Sequence, residues 1–195
     1  MKLSEKYKNK KILLASKSPR RQELLKGLDI NFEIANIIEI NENFPNTLKS
    51  KEIAAYLSEL KAQAYLKNIK KDEIIITADT IVWHNNKVLN KPKDRADAFN
   101  MISALSEDKH MVYTGVSISS VKKQLTFVSA TKVFFKQLTD DEIYYYIDRY
   151  KPFDKAGAYG IQEWIGYIGI EKIEGSYFNV MGLPVQKLYD ELLNF

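Results

Sequence analysis

Two apolar runs stand out along the chain, Ile12-Leu13-Leu14-Ala15 and Ile74-Ile75-Ile76-Thr77-Ala78, each opened by charged residues. Continuous runs of this length read as strands buried on both faces. The first strand is expected over Lys11–Ser16 and is followed by Ser18-Pro19-Arg20-Arg21, then leucines at helical spacing. Ser18 suits an N-cap, Pro19 the first helical position and Gly27 the stop, which predicts a helix over Pro19–Lys26. Asn31–Ile37 reads as a second strand and Ser50–Asn68 as a long amphipathic helix, with Ile53, Ala54, Leu57, Leu60, Ala64 and Tyr65 at helical spacing. The second apolar run places Asp79 at its carboxyl end, Ile81 and Val82 continue the strand to Trp83, and the Asn85-Asn86 pair predicts a hairpin over Thr80–Leu89.

Further on, Asp94 is placed to cap a helix over Arg95–Leu105. His110–Val121 and Gln124–Lys136 form two long β segments around Lys122-Lys123. Thr139-Asp140-Asp141-Glu142 is a capping box opening a helix to Arg149, which Pro152 stops. Asp154–Gln162 is rich in glycine and alanine and allows close backbone approach. Tyr167–Ile173 reads as a strand turned by Gly175-Ser176, and Gly182-Leu183-Pro184 opens the last helix. Residues 1–10 are polar and lysine-rich, and a frayed extension is expected there. Early alternation of strands and helices, then strands paired by a turn, predicts an α/β fold. Its expected form is a mixed twisted sheet flanked by helices, a single domain over residues 1–195 made of two lobes with a central cleft.

Composition narrows the class. With 195 residues, 45% of them hydrophobic, the chain can bury a sizeable core. Cysteine is absent, which excludes disulfides, thiolate metal sites and cysteine nucleophiles. No apolar run is long enough for a membrane span, and the charged start has no signal-like core, so a cytoplasmic protein is expected. A net charge of +4 tolerates polyanionic ligands without marking a nucleic-acid binder.

The candidate chemistry begins at the first strand-to-helix junction. A helix N-terminus favours an anion, and Arg20 and Arg21 add two forked cations suited to phosphate oxygens. The same pattern also fits an ordinary junction with two solvated arginines, and no Walker loop accompanies it. Ser16 can donate to a phosphate or satisfy local backbone. In the acidic loop Glu39–Pro45, Glu39 reads as solvated; carboxylates in such a loop can hold a magnesium ion together with substrate oxygens. Asp79 closes an apolar run, where a carboxylate is costly unless it is paired. The two histidines, His84 and His110, read as surface or capping residues. Gln162 offers one acceptor and one donor, the complement of a uracil or thymine edge; it also fits a backbone-capping amide.

Ser16-x-Ser18-Pro19-Arg20-Arg21-x-Glu23-Leu24-Leu25 resembles the opening signature of the Maf family of nucleotide pyrophosphatases. Ala78-Asp79-Thr80-Ile81-Val82, Lys91-Pro92, Tyr113-Thr114-Gly115-Val116, Asp154–Gln162 and Met181-Gly182-Leu183-Pro184 follow in the family's order. The resemblance runs from about Ile12 to the C-terminus. It implies a Maf/ITPase-like fold and hydrolysis of a nucleoside triphosphate to monophosphate and pyrophosphate, with a divalent cation (Mg, Mn or Co). It implies phosphate contacts from Arg20, Lys61 and Lys91, with Ser16 and Arg21 beside them. Asp79 takes the family's proton-acceptor position, and Glu42 and Asp79 are the metal candidates. Arg20, Thr80 and Gln162 occupy the positions linked to base choice, and Ala158-Tyr159-Gly160-Ile161-Gln162 matches the branch acting on dTTP and UTP. Asn90 before Lys91, Glu107 after Ser106, and Glu163-Trp164-Ile165 after Gln162 depart from the family's usual glycines.

Two alternatives stand beside this expectation. One is the same chemistry on 7-methyl-GTP or another modified nucleotide. The other is a non-catalytic nucleotide or nucleic-acid binding protein, suggested by twelve tyrosines and a pI near 8.9, with the effect on septum formation that the resemblance to the Maf family implies. The expected partner is a small-molecule nucleoside triphosphate, with neither membrane nor nucleic acid; oligomeric state stays open, a homodimer included.

Overall fold

The computed structural model describes residues 2–195. In chain order the elements are α1 (Leu3–Lys6), β1 (Lys11–Leu14), α2 (Pro19–Lys26), β2 (Glu33–Ile34), α3 (Lys51–Leu66), β3 (Glu73–His84), β4 (Lys87–Leu89), α4 (Arg95–Leu105), β5 (Lys109–Ser119) and β6 (Gln124–Phe135). Then come α5 (Asp140–Tyr150), two single turns at Pro152–Asp154 and Ala156–Ala158, α6 (Trp164–Gly169), β7 (Ile170–Glu174), α7 (Tyr177–Met181) and α8 (Val185–Asn194). The strand order is β2-β1-β3-β5-β6-β7, with β4 paired to β3. Strands β2 and β3 run parallel to β1, while β4 is antiparallel to β3 and β7 to β6. The sheet is therefore mixed, as expected, with helices around it. Among the described residues no helix is long and apolar enough to cross a membrane.

The chain packs as two compact units. The first takes the chain up to Asp79, Thr114–Ser129 and Gly182–Phe195; the second takes Thr80–Tyr113 and Ala130–Met181.

In the first unit β1 pairs Ile12, Leu13 and Leu14 with Ile74, Ile75 and Ile76; Ile12, Leu14 and all three isoleucines of the second run are buried, and Leu13 is half-buried. β2 is only two residues long, shorter than the expected Asn31–Ile37. Its partner β1 ends at Leu14, whose carbonyl accepts from the Ala35 N–H, and beyond that point no neighbour remains to pair with. Helix α3 lays Ile53, Ala54, Leu57 and Ala62 inward. Its backbone touches that of β5, because a Cβ on Gly115 would lie 2.0 Å from the Ala54 carbonyl oxygen.

The expectation of a frayed start is corrected from residue 2 onward; Met1 lies outside the described residues. Leu3 and Tyr7 are buried four residues apart. The Tyr7 hydroxyl donates to the Leu192 carbonyl at 2.6 Å, and Lys6 Nζ donates to the Leu192 and Leu193 carbonyls at 3.1 and 2.7 Å. The last carbonyls of α8 lack intrahelical partners, and these donors satisfy them.

The second unit carries the predicted hairpin, with Asn85 and Asn86 both left-handed (φ 46° and 60°), as a type I′ turn requires. Asp94 accepts from the Asp97 N–H at 2.8 Å at the start of α4, and Thr139 and Glu142 complete the capping box of α5. Ile102, Leu105, Val112, Val133, Ile143, Ile147 and Ile165 make the core. The expected strand over Tyr167–Ile173 is corrected: the chain is helical through Gly169 and extended only from Ile170. Ile165 anchors that helix in the core, and Gly166 is pressed onto the Ile161 carbonyl, where a Cβ would come within 1.8 Å. Helix α7, not anticipated from the sequence, buries Asn179, which donates to the Val112 carbonyl and to Thr131 Oγ1.

Both histidines are buried, against the surface reading. His84 Nε2 lies 2.8 Å from Asp108 Oδ2, and His110 Nε2 lies 2.7 Å from the Tyr159 hydroxyl, with Phe135 packed beside it. Burial, with a smaller contribution from His84, pushes the His110 imidazole down to about 3 from its ordinary 6.5. The unfolded chain then binds a proton below about pH 6.5 that the folded chain refuses until near pH 3. His110 thus contributes stability that is full above pH 6.5 and is lost as pH falls, by about 2 kcal/mol between pH 7 and pH 5. Urea unfolding at the two pH values measures this. The expected result is that His110→Phe flattens the loss by about that amount; an unchanged loss contradicts the assignment.

Candidate active site

Six of the residues singled out in the sequence belong to the first unit. The junction after β1 forms as expected, with Pro19 at the first helical position of α2 and no side chain capping it. Ser16 is buried, and its Oγ accepts from the Ser18 N–H at 3.2 Å. A hydroxyl that accepts in this way still carries a proton to donate. Arg20 and Arg21 follow on the first turn of α2. Arg21 Nε donates to the Gly182 carbonyl at 2.8 Å, which fixes the root of its guanidinium. Burial lowers the Arg21 pKa, the Asp79 carboxylate works against that, Arg20 adds to it, and Glu42 opposes it. These charges therefore act on one another in one place, and Arg21 stays cationic.

Asp79 closes the apolar run but not its strand, which continues past it as expected. Strand β3 continues to His84, but its neighbour β1 stops at Leu14, opposite Ile76. Asp79 thus lies three residues past the last β1 pairing, in a strand that outruns its partner. Its side chain is only 12% exposed. Lys61, on the inner part of α3, reaches it at 2.5 Å and also reaches Glu42 at 3.2 Å. Lys61 does not run out to water as a stripe-edge lysine usually does; its side chain is 18% exposed. In the acidic loop both carboxylates are exposed; Glu39 is solvated as expected, and Glu42 pairs with Lys61.

The remaining three candidates belong to the second unit. Thr80 follows Asp79 along β3 and is half-buried. Lys91 is exposed beside the buried Pro92, just after Asn90, whose carbonyl accepts from the Gly157 N–H at 3.2 Å. Gln162 is half-buried, with an amide oxygen that is itself buried and accepts no hydrogen bond among the described residues. It does not cap backbone through that oxygen. Around it the sequence reading missed a buried ion pair, Lys155 Nζ to Glu163 Oε1 at 3.1 Å, with Tyr146 donating to the other carboxylate oxygen. The available signal was a pair of opposite charges bracketing a glycine-rich stretch.

Among the described residues no three of His, Cys, Asp and Glu converge as a metal cage. What the first unit offers is a carboxylate pair, Glu42 and Asp79, already gathered around one cation, the Lys61 ammonium. Hard oxygen donors in that small number suit a magnesium-type ion that completes its shell with substrate oxygens and water. The donor set fits such an ion.

The class to which the chain belongs is shown by its relatives. The model of the Maf-like protein family matches residues 11–195, and the chain belongs to the Maf family. A protein of Parabacteroides distasonis is 54% identical over 191 residues, covering 98% of this chain and 99% of its own, and is described as a dTTP/UTP pyrophosphatase. Proteins with the same description from Phocaeicola vulgatus (55% identical, 96% of each chain) and Flavobacterium johnsoniae (52%, 97% of each) match equally broadly. Among solved structures, a HAM1 protein from Coxiella burnetii aligns over 95% of this chain and all of its own at 14% identity, with a TM-score of 0.46.

The Lys61–Asp79 pair is open to a direct test. A double-mutant cycle with Lys61→Met and Asp79→Asn, followed by urea unfolding, is expected to give a coupling of about 1–3 kcal/mol, as for neighbours within one ion-pair network. Additive effects would contradict the pairing.

Proposed function

We propose that this chain hydrolyses dTTP and UTP to the nucleoside monophosphate and pyrophosphate, in the cytoplasm, as a housecleaning activity on pyrimidine nucleotides. The observation that carries the reading is the charge cluster of the first unit: Asp79 and Glu42 converge on Lys61, and both carboxylates also act on Arg21. Family membership and the description shared by the relatives support the substrate.

In this reading Arg20, Lys61 and Lys91 neutralise the triphosphate, with Ser16 and Arg21 beside them. Arg21, anchored on Gly182, holds its guanidinium in a fixed direction. Fixed cations of this kind need no reorganisation as charge develops on the departing pyrophosphate. Glu42 and Asp79 would hold a divalent ion (Mg, Mn or Co), which when bound polarises the phosphoryl group under attack. Asp79 accepts the proton of the attacking water as the new P–O bond forms at the α-phosphorus. The bond to the bridging oxygen then breaks, and pyrophosphate leaves. Gln162 reads the base: its amide presents an acceptor and a donor to the N3–H and O4 of uracil or thymine. Thr80 and Arg20 are the other residues assigned to base choice.

The test is pyrophosphate release from a panel of canonical and modified nucleoside triphosphates, 7-methyl-GTP included. Release is expected from dTTP and UTP, with chelation stopping it and Mg, Mn or Co restoring it. Asp79→Asn is expected to lower kcat by about 10²–10⁴-fold, the range for loss of a general base. Gln162→Glu is expected to lower kcat/KM for UTP by about 10²-fold. Release from purine nucleotides alone would overturn the substrate assignment, and full activity in Asp79→Asn would overturn its role.

A further inference from the structure

Two tasks fall on one charge, the Lys61 ammonium. The proposed reaction sets it on the triphosphate. In the structure it is committed to carboxylates, 2.5 Å from Asp79 Oδ1 and 3.2 Å from Glu42 Oε1. Those are the two side chains assigned to a divalent ion, and the ammonium lies against the oxygens that such an ion needs. An ammonium is a compact point charge with donors and no acceptor, so it answers a pair of carboxylates much as a small cation does.

The surroundings make this contact firm on one side and open on the other. The Lys61 and Asp79 side chains are 18% and 12% exposed, so their attraction is little screened. Glu42 is 54% exposed, which leaves its arm of the contact accessible from solvent. The Arg21 guanidinium acts on both carboxylates as well. The carboxylates of Asp79 and Glu42 are thus balanced by the cations of Lys61 and Arg21 before anything binds. A divalent ion added to a balanced set meets the repulsion of both cations. Triphosphate oxygens reverse that, because they can receive an ammonium and a guanidinium.

The helix under Lys61 need not move for this exchange. Thr77 Oγ1 donates to the Ser58 carbonyl at 2.7 Å, and Ser117 Oγ donates to Ser58 Oγ at 3.1 Å, so α3 is tied to the sheet one turn before Lys61. The ammonium rides on a long flexible stem, and rotation of that stem alone carries it off the carboxylates.

We propose that Lys61 is an exchangeable counter-ion. Without nucleotide its ammonium occupies Asp79 and Glu42 and keeps a divalent ion off them; it releases them when triphosphate oxygens take it up. Binding of the ion and binding of the nucleotide are then coupled, each tightening the other by the same factor. This role rests on the reading of Asp79 and Glu42 given above.

The experiment titrates the full chain with manganese in the absence of nucleotide and follows the free ion by electron paramagnetic resonance. The variants are Lys61→Met, Lys61→Gln, Lys61→Met combined with Asp79→Asn, and Arg20→Gln. Near-ultraviolet circular dichroism checks each fold. Should Lys61→Met not fold, Lys61→Gln carries the test, since it keeps hydrogen-bond donors for the carboxylates. Both single Lys61 variants are expected to bind manganese ~10–100-fold more tightly than the parent, the usual range of coupling between two ligands. The double variant is expected to lose that gain. Arg20→Gln removes a charge of the same sign from the first turn of α2 and is expected to change the affinity by less than ~3-fold, because a charge outside the contact acts through a screened field. The titration is repeated with a non-hydrolysable UTP analogue, its own manganese binding subtracted from a protein-free control. The analogue is expected to tighten manganese binding in the parent and to do so less in Lys61→Met. Unchanged affinity in both folded Lys61 variants, an equal gain in Arg20→Gln, or a parent that the analogue leaves unchanged overturns the exchange. Pyrophosphate release from dTTP and UTP by the same parent preparation then leaves the proposed function standing. A parent chain that releases no pyrophosphate from any nucleoside triphosphate overturns the proposed function and this role together.

Discussion

A carboxylate in the middle of an apolar strand must be compensated, and much of the first unit is arranged around that requirement. Asp79 follows Ile74, Ile75, Ile76, Thr77 and Ala78, all of them buried. Left alone, its charge would be expensive. Strand β3 outruns β1 at this point, which opens space on one side, and Lys61 fills it from α3. The position of Lys61 depends in turn on how α3 seats. Its Ala54 carbonyl packs against Gly115, and the Ser58 carbonyl accepts from Thr77 Oγ1 at 2.7 Å, two residues before Asp79. A helix held so closely to the sheet leaves its lysine little choice of direction. Glu42 and the arginines of α2 then add a second carboxylate and further cations to the same electrostatic neighbourhood.

The second unit solves a different problem. Its glycine-rich segment adopts backbone conformations that a chain does not take unaided, and a buried ion pair with a core tyrosine stabilises them. Breaking a buried pair by removing one partner costs more than the pair itself contributes. The brace ties the glycine-rich segment, through Tyr146, to the core that holds Ile102, Leu105, Ile143 and Ile147.

Punctuated elements were legible in the sequence. Pro19 with Gly27, Asp94, the Thr139–Glu142 box and the Asn85-Asn86 turn each carry a local physical signal, and the structure places helix ends and the hairpin there. Elements lacking such signals were not legible. In Tyr167-Ile168-Gly169-Ile170 alternating and helical patterns coincide, and only the burial of Ile165 decides for the helix. Leu3 and Tyr7 become anchors because of carbonyls on α8, almost the whole chain away. The two histidines read as surface residues because Asp108 and Tyr159, their partners, are 24 and 49 positions distant. The same limit applies to the site. Motif order located Asp79, Lys61 and Gln162, but the pairing of Lys61 with both carboxylates is a tertiary fact with no local trace. Glu163 read as a departure from pattern, and its bond with Tyr146 gives it a structural role.

In the proposed mechanism the carboxylates gathered by Lys61 would hold the divalent ion that joins the triphosphate. Manganese titration followed by electron paramagnetic resonance, with a non-hydrolysable UTP analogue present, tests it most directly. The parent chain is expected to remove the free-manganese signal, and folded Asp79→Asn is expected to leave it. Equal uptake by both would mean that the ion is held elsewhere, and that the Asp79–Lys61–Glu42 cluster serves only the fold.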